Sequence, residues 1–376
     1  GVFYSGAVSE LTDFAEHHNI PIVETIAGRG MMLHDHPNNA GPLGVIGSSS
    51  ANALAEEADV ILAVGTRLQD FTTGSWSVFG NEKMRLISLN AARYDAHKHR
   101  ALSVVGDALV GIEELGKSLA DWSGSESWTS KAGTLYAEWN RTIEEHSGKT
   151  DTVPPSYAHV VGAVNRVCDD TDLALTASGG FPGELCKNWK TKTVGTFDCE
   201  FGFSCMGYEI AGGWGAKMAD PSRDVIVFVG DGAYLMLNSD VYSSVLTGHK
   251  MIIILCDNGG FGVINRLQNF KGSASFNNLL EDSKVEHLEY VDFVQHAKSM
   301  GALGEQVESI SELEAAFKRA KAAGRTYLIS IKVQQHQWTP GDAWWDVGVP
   351  EVSQRKEVRL AHADHSEGQK KQRIGV

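Results

Sequence analysis

The sequence predicts an α/β protein made of two doubly wound parallel-sheet domains, on three observations. Apolar runs such as "DVILAVGT" and "DVIVFVG" are continuous rather than alternating, as strands buried on both faces must be. Stretches of helical period separate them, so that strand and helix alternate along the chain. The alternation stops once, in a polar segment ending in "TVPPS", and then resumes.

In the first series "SELTDFAEHH" has helical period, "IPIVET" is a short apolar strand, "ANALAEEA" a helix and "DVILAVGT" a buried strand. "MRLISLN" and "SVVGD" are further strands, and "ALVGIEELGKSLADW" is a closing helix. These define a Rossmann-like first domain over residues 1–123, followed by a linker over 124–155 that carries the amphipathic helix "LYAEWNRTIEEH". The second domain, 156–350, opens with helix "SYAHVVGAVNRVC", strand "LALTASGG", helix "YEIAGGWGAKMA" and strand "DVIVFVGDG". It continues with helix "LMLNSDVYSSVLTG", strand "KMIIILCDN", helices "DFVQHAKSM" and "SELEAAFKRAKAAG", and strand "TYLISIKV". The chain from Gln334 is tryptophan-rich and then charged, and reads as a docked extension with a frayed end, residues 351–376 forming the carboxyl-terminal tail.

Composition narrows the function. Thirty-three basic against 47 acidic residues give a net charge of −14, which argues against nucleic acid as a partner. No apolar run approaches the roughly 20 residues that cross a bilayer, so no membrane role is expected. Five cysteines without a CxxC pattern suit free thiols in a reducing cytoplasm. "GVFYSGA" lacks the glycine pattern of a dinucleotide site, which argues against FAD or NAD. The chain opens at what reads as the end of a strand, and further sequence is expected upstream.

The chemistry concentrates in "VIVFVGDGAYLMLNSDVYSSVLTGHKMIIILCDNGGFG". Two apolar strands joined by one crossover end in Asp231 and Asn258, and ligands gather beyond the carboxyl ends of parallel strands. A carboxylate, an amide oxygen and a carbonyl from the Gly259-Gly260 turn form a hard oxygen set suited to Mg²⁺, which shares its sphere with phosphates. Gly230 and Gly232 admit a bulky anion, and the helix end at Ala233 offers N–H groups to a phosphate. The pattern is that of a diphosphate–Mg²⁺ site.

At these residues the sequence resembles the thiamine diphosphate (ThDP) enzymes, whose signature is GDG followed about 25 residues later by an asparagine pair. Here the pair reads Asp257-Asn258, and the resemblance implies that Asp231, Asn258 and the Gly260 carbonyl bind the metal. It further implies that Met206, in "EFGFSCMGYEIAGGWGAKMA", wedges the cofactor rings apart and that the Ser204 carbonyl accepts from the aminopyrimidine. Gly179 and Gly180, in the loop "SGGFPGELCKNW", fall near the diphosphate or substrate. "GTRLQDFTTGSW", "DAHKH", "SCMGYEIAG" and "WWDVGVPEVS" narrow the resemblance to the decyclizing trihydroxycyclohexane-1,2-dione acylhydrolases of inositol catabolism.

That resemblance implies a small cyclic dione as substrate and a homo-oligomer, dimer or tetramer, at full length. It also implies that the activating glutamate belongs to an amino-terminal pyrimidine-binding domain. Glu10, Glu16 and Glu24 cannot inherit that role, so the chain is expected to be inactive as a fragment. An acetolactate-synthase-like carboligase and a non-catalytic ThDP-binding remnant remain the alternatives. Of the other polar clusters, His34-Asp35-His36 reads as an entrance loop rather than a metal site, and His97 and His99 as surface. His336 is placed at the active-site rim, and Phe71, Thr72 and Thr73 are candidate pocket residues.

Overall fold

A computed structural model of the chain describes residues 1–373 and divides it into two compact units. Among the described residues, unit 1 comprises 1–142, 340–349 and the chain from 362 onward; unit 2 comprises 143–339 and 350–361. The division falls between residues 142 and 143, inside a helix of the 124–155 segment. The carboxyl-terminal segments are shared between the units instead of forming a separate tail.

Unit 1 begins with α1 (Val8–His17) and β1 (Ile22–Glu24), then β2 (Asn39–Pro42), α2 (Ser49–Glu57), β3 (Val60–Val64) and α3 (Asp70–Thr73). There follow β4 (Arg85–Asn90), α4 (Arg93–Ala96), β5 (Leu102–Val105), α5 (Ala108–Leu119) and α6 (Glu126–Ser147), which runs on into unit 2. All pairings are parallel, in one sheet of order β3-β4-β5 and a separate pair β1-β2. Side-chain caps fix where helices start: Ser48 accepts from Ala51 N, and Asp107 from Leu109 and Val110 N.

Unit 2 contains α7 (Tyr157–Val167), β6 (Leu173–Thr176), α8 (Phe181–Asn188), β7 (Phe197–Cys199), α9 (Tyr208–Ala219) and β8 (Val225–Gly230). It continues with α10 (Asp231–Met236), α11 (Asp240–Thr247), β9 (Ile252–Asp257), α12 (Gly262–Phe270), α13 (Phe293–Ser299), β10 (Leu303–Val307), α14 (Ile310–Ala322) and β11 (Tyr327–Lys332). The sheet is parallel throughout, in the order β10-β11-β9-β8-β6-β7. From β6 the chain first moves outward to β7 and then returns past β6 to β8. The loops after β6 and β8 therefore diverge, which makes this the crevice where an open α/β sheet holds its ligand.

Both faces of this sheet are covered. Val225, Val227, Val229, Ile253 and Leu255 pack with Ile210 of α9, Val241 of α11 and Phe293 of α13. On the opposite face Phe228 meets Phe181 of α8 at 5.3 Å. Helix α9 lies close on the sheet at Gly213, where a Cβ would come within 2.4 Å of Val227 Cγ2. At the amino ends of β6 and β8, remote from the crevice, Lys321 Nζ joins Asp169, Asp172 and Asp224 at 2.7–3.0 Å.

Three expectations are corrected. "LMLNSDVYSSVLTG" is not one helix: Leu237 turns extended (φ −152°), packs against Gly207, and separates α10 from α11. "SGGFPGELCKNW" is a turn at Gly179-Gly180 followed by α8, with Pro182 in the first turn, where its missing N–H costs nothing. The charged tail is not frayed over its length. Lys356–Gln369 form helix α15.

Candidate functional site

The crevice is lined by the carboxyl ends of β6, β8, β9 and β11. Register sets Gly230 beside Cys256 and Asp257 beside Lys332, so the residues just beyond these strands share one rim. Asp231 opens α10 and is 5% exposed. Its Oδ2 accepts from Gly260 N at 2.7 Å and its Oδ1 from Asn258 N at 3.5 Å. One carboxylate thus gathers the β9–α12 turn around itself and keeps lone pairs to spare. Burial, with the Asp257 carboxylate adding to it, pushes the Asp231 carboxyl up to about 7. A divalent cation would relieve that cost.

Asn258 is 6% exposed; its Nδ2 donates to Tyr157 Oη at 2.5 Å, while its Oδ1 is buried with no hydrogen-bond partner. Gly260 has φ +145°, and a Cβ there would lie 2.4 Å from Asn278 O, so only glycine fits the turn. A Cβ on Gly232 would sit 3.3 Å from the Gly260 carbonyl oxygen, which brings that oxygen next to the GDG turn. The three oxygens expected to hold Mg²⁺ are therefore assembled on one short stretch of rim, one of them a buried acceptor without a donor. This donor set fits a hard divalent cation. Asp257, which departs from the asparagine of the ThDP pattern, accepts from Gly259 N at 3.0 Å and stabilises the turn instead.

The other expected cofactor residues border the same crevice. Gly179 (φ +79°) and Gly180 form the turn after β6, and no atom lies within 4 Å of a Cβ built on Gly179. Gly230 ends β8, while Gly232 and the buried Ala233 lie in the first turns of α10. Ser204 adopts a left-handed conformation (φ +54°) in the turn before α9, and Met206 is 42% exposed. That turn is organised by Glu200, whose carboxylate accepts from Gly202, Phe203 and Cys205 N at 2.7–3.0 Å.

Several residues of the site carry no signal in the sequence. Glu209, fully buried in α9, accepts from Ser178 N at 3.0 Å and Gly207 N at 2.8 Å, tying the turn after β6 to the turn before α9. Its carboxyl is raised above the usual range, chiefly by burial. Beyond β11, Gln335 Nε2 donates to Asn258 O at 2.8 Å, and the Trp338 ring stacks on Tyr157 at 5.4 Å. This strap is pinned by Thr339, whose N and Oγ1 both donate to buried Glu184 and whose carbonyl accepts from Lys187 Nζ.

The remaining candidates separate. His336 is exposed on the strap. In unit 1, Thr72 and Thr73 are buried, and Phe71 lies 4.6 Å from Trp345. His36 pairs with Glu16 at 2.9 Å, and the Tyr136 hydroxyl meets His34 Nδ1 at 3.2 Å, so "LHDHP" does not converge on a common point. His97 is exposed, whereas His99 is half-buried on the Trp76 ring. Glu24 is buried, paired with Arg29, and accepts from Gly30, Met31 and Met32 N, each at 3.0 Å.

Comparison with known proteins gives a consistent picture. Residues 1–115 match the family "Thiamine pyrophosphate enzyme, central domain", and residues 178–331 match "Thiamine pyrophosphate enzyme, C-terminal TPP binding domain". The chain is 37% identical to a 3D-(3,5/4)-trihydroxycyclohexane-1,2-dione hydrolase of Geobacillus thermodenitrificans, over 98% of this chain and 62% of that protein. It is 35% identical to the protein of the same name from Bacillus thuringiensis, over 96% of this chain and 61% of the relative. The chain thus spans about three-fifths of the length of the curated relatives it matches.

Proposed function

As the chain belongs to the thiamine pyrophosphate enzymes, carrying their central and C-terminal TPP-binding domains, we propose that it binds ThDP through Mg²⁺ and serves the hydrolytic opening of a cyclic 1,2-dione. The observation that carries the cofactor reading is the oxygen set itself: the Asp231 carboxylate, the unpartnered Asn258 Oδ1 and the Gly260 carbonyl. The relatives' name supports the substrate class. In the net reaction water adds across the bond between two carbonyl carbons, leaving one as a carboxylic acid and the other as an aldehyde. When bound, ThDP supplies the carbanion and the electron sink for breaking that bond.

The chain's own residues bind and orient. Gly179, Gly180, Gly230, Gly232 and Ala233 leave room and backbone N–H groups for the diphosphate. Met206 presents an apolar side chain to the rings, with the Ser204 carbonyl beside it, and Glu209 holds the two loops that carry these groups at a fixed separation.

We also place this site in a homo-oligomer. Its rim is apolar and open, with Phe203 92%, Leu235 50% and Phe261 38% exposed, the character of a surface that another protein face covers. No disulfide joins the described cysteines, which supports a reducing, cytoplasmic setting, and no helix among the described residues is long and apolar enough to cross a membrane.

Titration calorimetry tests the cofactor reading. Mg²⁺-dependent ThDP binding is expected in the native chain and should be lost in Asp231→Ala with the circular dichroism unchanged; equal binding by both would refute the site. Supplying the trihydroxycyclohexane dione and pyruvate separately, to the chain fused to the part of the Geobacillus relative that it does not span, tests the substrate. Acid formed from the dione supports the hydrolase, whereas acetolactate or carbon dioxide from pyruvate alone would assign a carboligase.

A further inference from the structure

We infer that Tyr157 is a positioning residue that sets which end of the Asn258 amide faces the cation, an inference that rests on the Mg²⁺–ThDP reading above. An amide has one donor end and one acceptor end of nearly equal size. Beside a carboxylate such as Asp231, an unrestrained amide turns its NH₂ toward the charge. A donor then occupies the place where a cation needs an oxygen.

The structure holds the opposite orientation, and Tyr157 is what holds it. Asn258 Nδ2 donates to Tyr157 Oη across 2.5 Å, which leaves Oδ1 as the free end. Tyr157 is 1% exposed, with its ring edge-on to Phe181 at 4.9 Å and stacked on Trp338 at 5.4 Å, so the phenol has no room to swing. The backbone of Asn258 is fixed separately by the bond from Gln335, and its amide carbon lies 3.2 Å from where a Cβ on Gly262 would be. Rotation of the amide about its last torsion decides which end faces the cation, and the bond to the phenol oxygen fixes it. Groups behind a metal ligand commonly fix ligand orientation in this way, and removing them costs about 10–100-fold in metal affinity.

The test uses Tyr157→Phe, which keeps the ring and removes the acceptor. In calorimetry with Mg²⁺ and ThDP, the apparent Mg²⁺ affinity should fall about 10–100-fold. Asn258→Asp in the same background should restore the affinity of Asn258→Asp alone, because a carboxylate presents oxygen at either end and needs no orienting. A merely loosened core would not be rescued by that change. If Tyr157→Phe proves unfolded by circular dichroism, Trp338→Leu, which frees the phenol to move, is read in the same way. Unchanged Mg²⁺ affinity in the variant, or a loss that Asn258→Asp fails to rescue, overturns the inference alone. No Mg²⁺-dependent ThDP binding by the native chain overturns the cofactor reading and the inference with it.

Discussion

Four carboxylates use one device, folding backbone N–H groups around themselves. Glu24 gathers Gly30, Met31 and Met32; Glu200 gathers Gly202, Phe203 and Cys205; Glu209 joins Ser178 to Gly207; and Asp231 holds Asn258 and Gly260. Glu209 gives a pH prediction. Its carboxyl is raised by burial, so the folded chain holds a proton that the unfolded chain has already released. The stability this contributes is fully present below the ordinary glutamate range and is lost as pH rises through the raised value. In urea unfolding followed from pH 4 upward, Glu209→Gln should flatten this part of the fall; an identical slope in both proteins would refute it. The variant should also weaken ThDP binding, because an amide oxygen satisfies only one of the two N–H donors. Asp231 and Asn258 were legible in the sequence because each ends an apolar strand and one crossover joins them. Glu209 was not, since its partners are main-chain amides that any residue type supplies, one of them 31 positions away.

At the level of elements, the strands that sequence missed in unit 2 are β7 and β10, the two edges of the sheet. An edge strand is covered less completely, and "LGEQV" therefore lacks the continuous apolar run that marks β8 and β9. Helix α8 was hidden behind its glycines and proline, although Phe181 and Leu185 fall four apart on its buried face. Its Glu184, Lys187 and Asn188 form a buried polar latch on Thr339, and every group in it depends on the others. Thr339→Val removes the hydroxyl that donates to Glu184 and accepts from Asn188. It should cost about 1–3 kcal/mol in chemical unfolding, the cost of leaving buried polar groups unpaired. Amide exchange should quicken across 334–339 while β8 stays protected; uniform protection would show that the latch does not hold the strap.

On the scale of the whole molecule, the division of the carboxyl-terminal chain between both units was not legible beforehand, because packing partners far apart in sequence leave no periodic trace. Within unit 1, His365 Nε2 meets Asp346 Oδ1 at 2.6 Å and its ring stacks on Trp344. A Cβ on Gly368 would come 2.2 Å from the same indole. Gly368→Ala should therefore destabilise by about 1–3 kcal/mol, the usual cost of overpacking, read as a lower thermal midpoint; an unmoved midpoint would mean that this end of α15 is not docked. The strand order of unit 2 carries a kinetic consequence. β6 with β7, β8 with β9 and β10 with β11 are neighbours in sequence as well as in the sheet. The two joints between these pairs are distant: a bond from Thr176 to Phe228 spans 52 residues, and one from Met251 to Thr326 spans 75. Such joints must close large loops before any pairing repays the lost chain entropy, which slows folding. Asp231 and Asn258 follow the carboxyl ends of β8 and β9, so a newly made chain brings its two proposed cation ligands within reach of each other before the sheet around them is complete.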